Sequence, residues 1–313
     1  MKDLFQKLQQ AWKRRKPFIK EKKIEAFRLI HEEADALPDL SIEIFGEALH
    51  CILKSEPEKN FKKLLCESIL EISKTDFDFP KIKFWSAYTH TSKTQRELKP
   101  LFLETPHIFS IREFEFLYEI HLNEGLHTGL FLDQRDNRER LYHQASGKRV
   151  LNLFCYTGSF SVAALKGGAR EVVSVDLSKK TLRWLERNLI LNQLDLHRSK
   201  TYAKDVFDFL EVAQKKNEKF DIIILDPPTF SRGSRVFSTE KQLSELVLKT
   251  SSLLEDSGEM LISINTQKWT TQDFYHQVQQ SLAFSPRSIE RLHPSFDFES
   301  KTKSFWKGCW VRR

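Results

Sequence analysis

From residue 149 onward, short apolar runs alternate with segments of helical spacing. Val150, Leu151, Leu153 and Phe154 lead into a tight Thr157-Gly158 turn, and residues 159–165 read as a small-residue helix. A Gly167-Gly168 break follows, and a second apolar run over 172–175 ends on Asp176. Residues 179–192 place Leu182, Leu185, Leu189 and Ile190 roughly on one helical side. Asp205 stands after a short strand and opens a helix at Val206. Residues 222–225 form a buried strand closing on Asp226-Pro227-Pro228. A helix over 242–254, a strand over 260–264, a helix from about Thr271 and two strands near 286–291 and 305–311 complete the pattern. Strands alternating with helices predict a parallel, doubly wound α/β sheet, here ending in an antiparallel hairpin.

The first part of the chain has different periods. Leu40, Ile42 and Ile44 alternate with Ser41 and Glu43, Gly46 marks a turn, and residues 48–53 read as the return strand. Residues 59–74 carry Phe61, Leu64, Leu65 and Ile69 at helical spacing, residues 81–88 read as a strand, and 89–100 as a polar loop. Residues 113–122 read as one strand with Phe114, Phe116, Tyr118 and Ile120 on one face, a stripe that suits a core better than base stacking. This predicts a small α/β domain over 24–122, a candidate for RNA or substrate recognition, ahead of a catalytic domain over 123–313. In residues 1–23, Phe5, Leu8 and Trp12 share a helical face and Arg14-Arg15-Lys16-Pro17 follows. That segment reads either as a basic arm touching RNA phosphates or as a solvated helix end.

Length and charge sharpen the picture. A chain of 313 residues is expected to hold about two domains. Its formal charge of +7 suits a polyanionic partner. The four cysteines form no C-x-x-C pair, and the ten histidines lack metal-ligand spacing, so no metal is expected. No apolar segment reaches bilayer length and no signal peptide is visible, which predicts a cytoplasmic protein with no membrane partner.

The turn at 154–158 has neither the G-x-G-x-x-G pattern of dinucleotide binders nor the phosphate loop. A ligand with a ribose and no phosphate fits it, and S-adenosylmethionine (SAM) is the candidate. Gly158 would let the backbone approach the ligand, and Asp176 would accept from the ribose diol. The competing reading is an ordinary βαβ unit whose Asp176 caps a helix. Asp205 could accept from the adenine amino group, cap the helix from Val206, or do both. Arg135 could pair with the methionine carboxylate of SAM; alternatively Asp133 is an N-cap and Arg135 a surface residue. Pro227 and Pro228 fix φ and hold Asp226 rigid at the sheet edge, facing a planar amide or base edge. The polar stretch 231–240, with Arg232 and Arg235, reads as an RNA-facing or simply solvated loop.

With these residues assembled, the chain resembles the bacterial SAM-dependent methyltransferases that modify large-subunit ribosomal RNA. The resemblance rests on TGLFLDQRDNR (128–138), VLNLFCYTGSFS (150–161), VVSVDLS (172–178) and LDPPTFSRG (225–233), and extends to FRLIHEEADALPDL (27–40). It implies a Rossmann-like class I methyltransferase sheet of seven strands behind a smaller N-terminal α/β domain. It implies that Asn152, Phe154, Tyr156, Thr157 and Gly158 cradle SAM. Asp176, Leu177 and Ser178 would hold the ribose, and Asp205 and Val206 the adenine. Phe131, Asp133, Gln134 and Arg135 would close over the cofactor. Asp226, which also borders the cofactor, would hold the target base with Pro227, Pro228 and Phe230. The implied partner is large-subunit ribosomal RNA or its assembly intermediate.

Relatives that make 5-methylcytosine often carry an N-terminal PUA-type barrel, for which residues 1–24 are too short. They also place a nucleophilic cysteine after the fifth strand, where this chain reads Ile262-Ser263-Ile264-Asn265-Thr266-Gln267. Cytosine C5 needs a thiolate to add to the ring first, whereas guanine N7 presents a lone pair and needs none. The expectation is therefore direct in-line methylation of guanine N7. The alternatives are a 5-methylcytosine enzyme using a remote Cys155 or Cys309, and a non-catalytic RNA-binding or ribosome assembly factor.

Overall fold

The computed structural model describes residues 2–22, 24–90, 98–104, 108–124, 128–232, 236–266, 268–299 and 305–313. The chain divides into two compact units, Met1–Arg135 with Ser295–Thr302, and Asp136–Pro294 with Lys303–Arg313.

In the first unit, α1 (Lys2–Lys22) precedes β1 (Ala26–His31), β2 (Leu40–Phe45), β3 (Ala48–Leu53), α2 (Phe61–Thr75), β4 (Phe84–His90) and β5 (Leu98–Glu104). These five strands form one sheet in sequence order, antiparallel except where β3 pairs with β4. A separate hairpin pairs β6 (Phe109–Glu113) with β7 (Phe116–Ile120). Leu8, Ala11 and Trp12 of α1 share a core with Leu65, Ile69 and Ile72 of α2 and with Ile42, Ile44 and Leu49 of the sheet.

Four expectations need correction here. The segment 1–23 is neither a free arm nor a solvated end, because α1 is part of the core and Trp12 is 1% exposed. Four of its cations are already paired: Arg14 and Arg15 with Asp35, Lys16 with Asp76, and Lys20 with Asp78. Residues 113–122 are not one strand. Phe114 adopts φ +52° and turns the chain, so Phe116, Tyr118 and Ile120 alone carry the buried stripe. The stretch 89–100 is not all loop, since Thr89 and His90 end β4 and residues 98–100 begin β5; residues 91–97 lie outside the described residues. The division falls after Arg135 rather than after residue 122. Arg135 is fully buried in the first unit, where Nη1 donates to Asp297 Oδ1 at 2.9 Å and Nη2 to the Ala26 carbonyl at 2.7 Å.

The second unit runs α3 (Arg135–Gln144), β8 (Arg149–Leu153), α4 (Ser159–Lys166), β9 (Glu171–Asp176), α5 (Lys179–Leu191), β10 (Ser199–Ala203), α6 (Val206–Lys215) and β11 (Phe220–Leu225). It continues with the short pair β12 (Phe230–Arg232) and β13 (Val236–Ser238), then α7 (Thr239–Ser251), β14 (Leu254–Asn265), α8 (Thr271–Ser281), β15 (Ser288–Leu292) and β16 (Trp306–Arg312). The seven-stranded sheet has the order β10-β9-β8-β11-β14-β16-β15. It is parallel from β10 to β14, and β16 runs antiparallel to both β14 and β15. Val150, Leu151, Val173, Val175, Ile223, Ile224 and Leu261 are all within 2% of complete burial, as strands covered on both faces should be. Where a polar loop was expected, residues 231–232 and 236–238 are paired strand and 239–240 begin α7. Arg235 lies outside the described residues.

Candidate cofactor and base site at the strand ends

Chain order in the sheet reverses between β8 and β11. The carboxyl ends of strands on either side of such a point form the usual ligand crevice of open α/β sheets. After β8, Phe154, Tyr156 and Gly158 take φ of +55°, +50° and +77°. Left-handed backbone at two non-glycine residues is costly and persists only where surrounding bonds enforce it. Those bonds are present. Tyr156 N donates to Asp176 Oδ2 at 2.9 Å, Cys155 N to the Val175 carbonyl at 3.0 Å, and Asn188 Nδ2 to the Thr157 carbonyl at 2.9 Å. Asp176 thus shapes the turn from the neighbouring strand.

The remaining acceptors of Asp176 are partly used. Oδ1 takes Ser178 N at 2.9 Å and Thr181 Oγ1 at 3.2 Å, while Ser178 caps α5 by accepting from Thr181 N. Burial nevertheless pushes the Asp176 carboxyl above its usual range, against the pull of these donors. Further donors, such as the two hydroxyls of a ribose, would offset that desolvation. Leu177 is 46% exposed between Asp176 and the cap. At the end of β10, Asp205 Oδ1 accepts Phe207 N at 2.9 Å and caps α6, with Val206 buried behind it.

Two of the expected cradle residues also hold the rim together from beneath. Asn152 is buried, and its Nδ2 donates to Ser161 Oγ, which bonds Ser174 Oγ, each at 2.8 Å. It ties β8, α4 and β9 together. A Cβ on Gly158 would meet the Leu185 side chain at 2.3 Å, so the missing side chain makes room for α5.

The rim after β11 is held from β14 and α7. Ser263 Oγ donates to Asp226 Oδ1 at 2.6 Å, Thr239 Oγ1 to the Pro228 carbonyl at 2.8 Å, and Thr229 Oγ1 to the Asn265 carbonyl. Pro227 is buried, Pro228 is exposed, and the Phe230 backbone pairs with Ser238. Sequence reasoning missed Ser263 and Lys307, each visible only as a polar residue interrupting an apolar strand. Lys307 is 4% exposed, and burial pushes its pKa down. Its Nζ donates to the Thr266 carbonyl at 2.8 Å, just past the end of β14.

Neither thiol of this unit is prepared for nucleophilic work. Burial pushes the pKa of Cys155 well up, and Asp176 raises it further; burial does the same to Cys309. Phe131, Asp133, Gln134 and Arg135 belong to the first unit, around the 3-10 turn Leu132–Gln134. Phe131 is 47% exposed there and Gln134 is buried. The expected carboxylate partner of Arg135 proves to be Asp297 of this same chain, and Arg135 is not a surface residue.

Among solved structures, the crystal structure of SMU.776 complexed with SAH is 29% identical, with a TM-score of 0.83, covering 99% of this chain and 80% of that one. Sheet order, turn and strand-end acid together define a Rossmann-like class I methyltransferase. The family model for S-adenosylmethionine-dependent methyltransferases matches residues 88–304, and the chain belongs to that family. Ribosomal RNA large subunit methyltransferase I of Tolumonas auensis is 31% identical over 87% of this chain and 68% of its own length. The protein of that name from Aeromonas salmonicida is 35% identical over 72% of this chain. The chain spans 57% of that relative's length.

Proposed function

We propose that the second unit binds SAM along the rim from residue 154 to Asp205 and methylates a base of large-subunit ribosomal RNA held beside Asp226. The observation that carries this reading is the Asp176 carboxylate, desolvated yet bonded to the Tyr156 amide of a left-handed turn. When bound, SAM supplies a methyl group on a sulfonium. Asp176 would accept the ribose hydroxyls, and Asp205 the adenine amino group. Asp226, fixed by Ser263 and two prolines, would present a rigid acceptor to the base edge.

The named relatives weigh toward the cytosine ring carbon rather than guanine N7. That chemistry requires a thiolate to add at C6, methyl transfer to C5, loss of the C5 proton and expulsion of the thiolate. A second reading, guanine N7, is favoured by the chain itself: residues 262–267 contain no cysteine, and both thiols of the unit have raised pKa values. There the N7 lone pair takes the methyl group, the S–C pair returns to sulfur, and no proton leaves. Nucleoside mass spectrometry of large-subunit RNA from cells with and without the protein decides the matter. Loss of one 5-methylcytosine supports the first reading, loss of one 7-methylguanine the second, and an unchanged profile contradicts both.

A further inference from the structure

We infer that Lys179 and Arg183 of α5, together with Lys204 past the end of β10, form the surface that holds the phosphodiester backbone of the RNA substrate. The inference rests on the ribosomal RNA reading above and adds where the strand lies. The densest basic run of the chain is less suited to this task, since Arg14, Arg15, Lys16 and Lys20 of α1 already pair with Asp35, Asp76 and Asp78. On α5 the situation reverses. Among the described residues, no acid lies within ion-pair distance of Lys179, Arg183 or Lys204, and all three are exposed.

Local stability does not explain this arrangement. The first turn of α5 holds Lys179 and Lys180 and no acid, although cations oppose the helix dipole there. Helices α6, α7 and α8 each open with an acid instead. Lys179 and Arg183 form a stripe at a spacing of four residues, where like charges repel. Glu186 is the one acid on that stripe, and it makes no ion pair with Arg183 among the described residues. A sequence of phosphates would relieve each of these costs.

The location suits the proposed reaction. Lys204 N donates to the Asp176 carbonyl at 3.1 Å, and Ser178 N, one residue before Lys179, donates to Asp176 Oδ1 at 2.9 Å. Lys179 and Lys204 therefore flank the carboxylate assigned to the ribose, on the same carboxyl edge of the sheet. A strand running over them could place one nucleotide toward Asp226 while its neighbours stay outside.

The test compares the full chain with the triple variant Lys179→Gln, Arg183→Gln, Lys204→Gln. Binding to protein-free large-subunit ribosomal RNA transcribed in vitro is measured by anisotropy across a salt series, and SAM affinity by calorimetry. Each phosphate that the protein no longer neutralises makes the slope of log K against log salt shallower by about 0.7–0.9. The expected result is a slope shallower by about 2 to 3, with SAM affinity unchanged. An identical slope in the variant overturns this surface while leaving the methyltransferase reading intact. Failure of the unmodified chain to bind the RNA at any salt overturns the ribosomal RNA reading as well.

Discussion

Asp176 answers two demands at once. It organises the 154–158 turn through the Tyr156 amide and keeps lone-pair capacity on Oδ2 for a ligand. Asp176→Ala removes both, and SAM affinity measured by calorimetry should fall about 10- to 100-fold, the range expected for hydrogen bonds to a charged group. Unchanged affinity would strip the residue of its role. His31 provides a different test, of stability alone. Burial, with Arg28 next, lowers its pKa from 6.5 to about 4, and Arg28 Nη1 sits 3.3 Å from Nδ1, which must then be the neutral acceptor. Between those two pH values the unfolded chain takes up a proton that the folded one refuses. Stability should therefore fall as pH drops from about 6.5 towards 4, by at most about 3 kcal/mol. Urea unfolding at several pH values checks this, and His31→Gln should flatten that window. Asp176 was legible from its strand-end position. Arg135 was misread because its partner Asp297 lies 162 residues away in sequence.

At the scale of elements, α1 is where charge counting failed. Its cations look free in sequence because Asp35, Asp76 and Asp78 are brought to them only by folding. Trp12 joins the core and donates to Asp76 Oδ2 at 2.9 Å. Trp12→Ala should destabilise the first unit by about 3–5 kcal/mol in denaturant titration. A solvated arm would show almost no change. The β6–β7 hairpin failed for a related reason: the period-two alternation runs straight through Phe114, whose positive φ only the structure reveals. The central strands β8, β9, β11 and β16 were easier, because their apolar runs are buried on both faces. Ser263 and Lys307 act across strand pairs, which no single-strand pattern encodes. Lys307→Met would leave the Thr266 carbonyl without its donor. Turnover should then fall more than SAM affinity does; equal losses would mark Lys307 as purely structural.

At the scale of the whole molecule, the order of the seven strands explains why residues from four separate strand ends share one rim. Among the described residues, no helix is long and apolar enough to cross a membrane, and no group of three or more metal-ligand side chains is found. The net charge of +7 is unevenly used: Arg14, Arg15, Lys16 and Lys20 of α1 meet acids of the same unit, whereas Lys179, Arg183 and Lys204 meet none among the described residues. The central claim is that this rim moves a methyl group from SAM to ribosomal RNA. Its most direct measurement is transfer of labelled methyl from SAM to large-subunit RNA taken from cells lacking the protein. About one methyl per RNA is predicted with the unmodified chain, and a loss of at least about tenfold in rate with Asp226→Ala, the minimum for removing a group that positions the base. Label that fails to enter the RNA, or that enters equally with the variant, would contradict it.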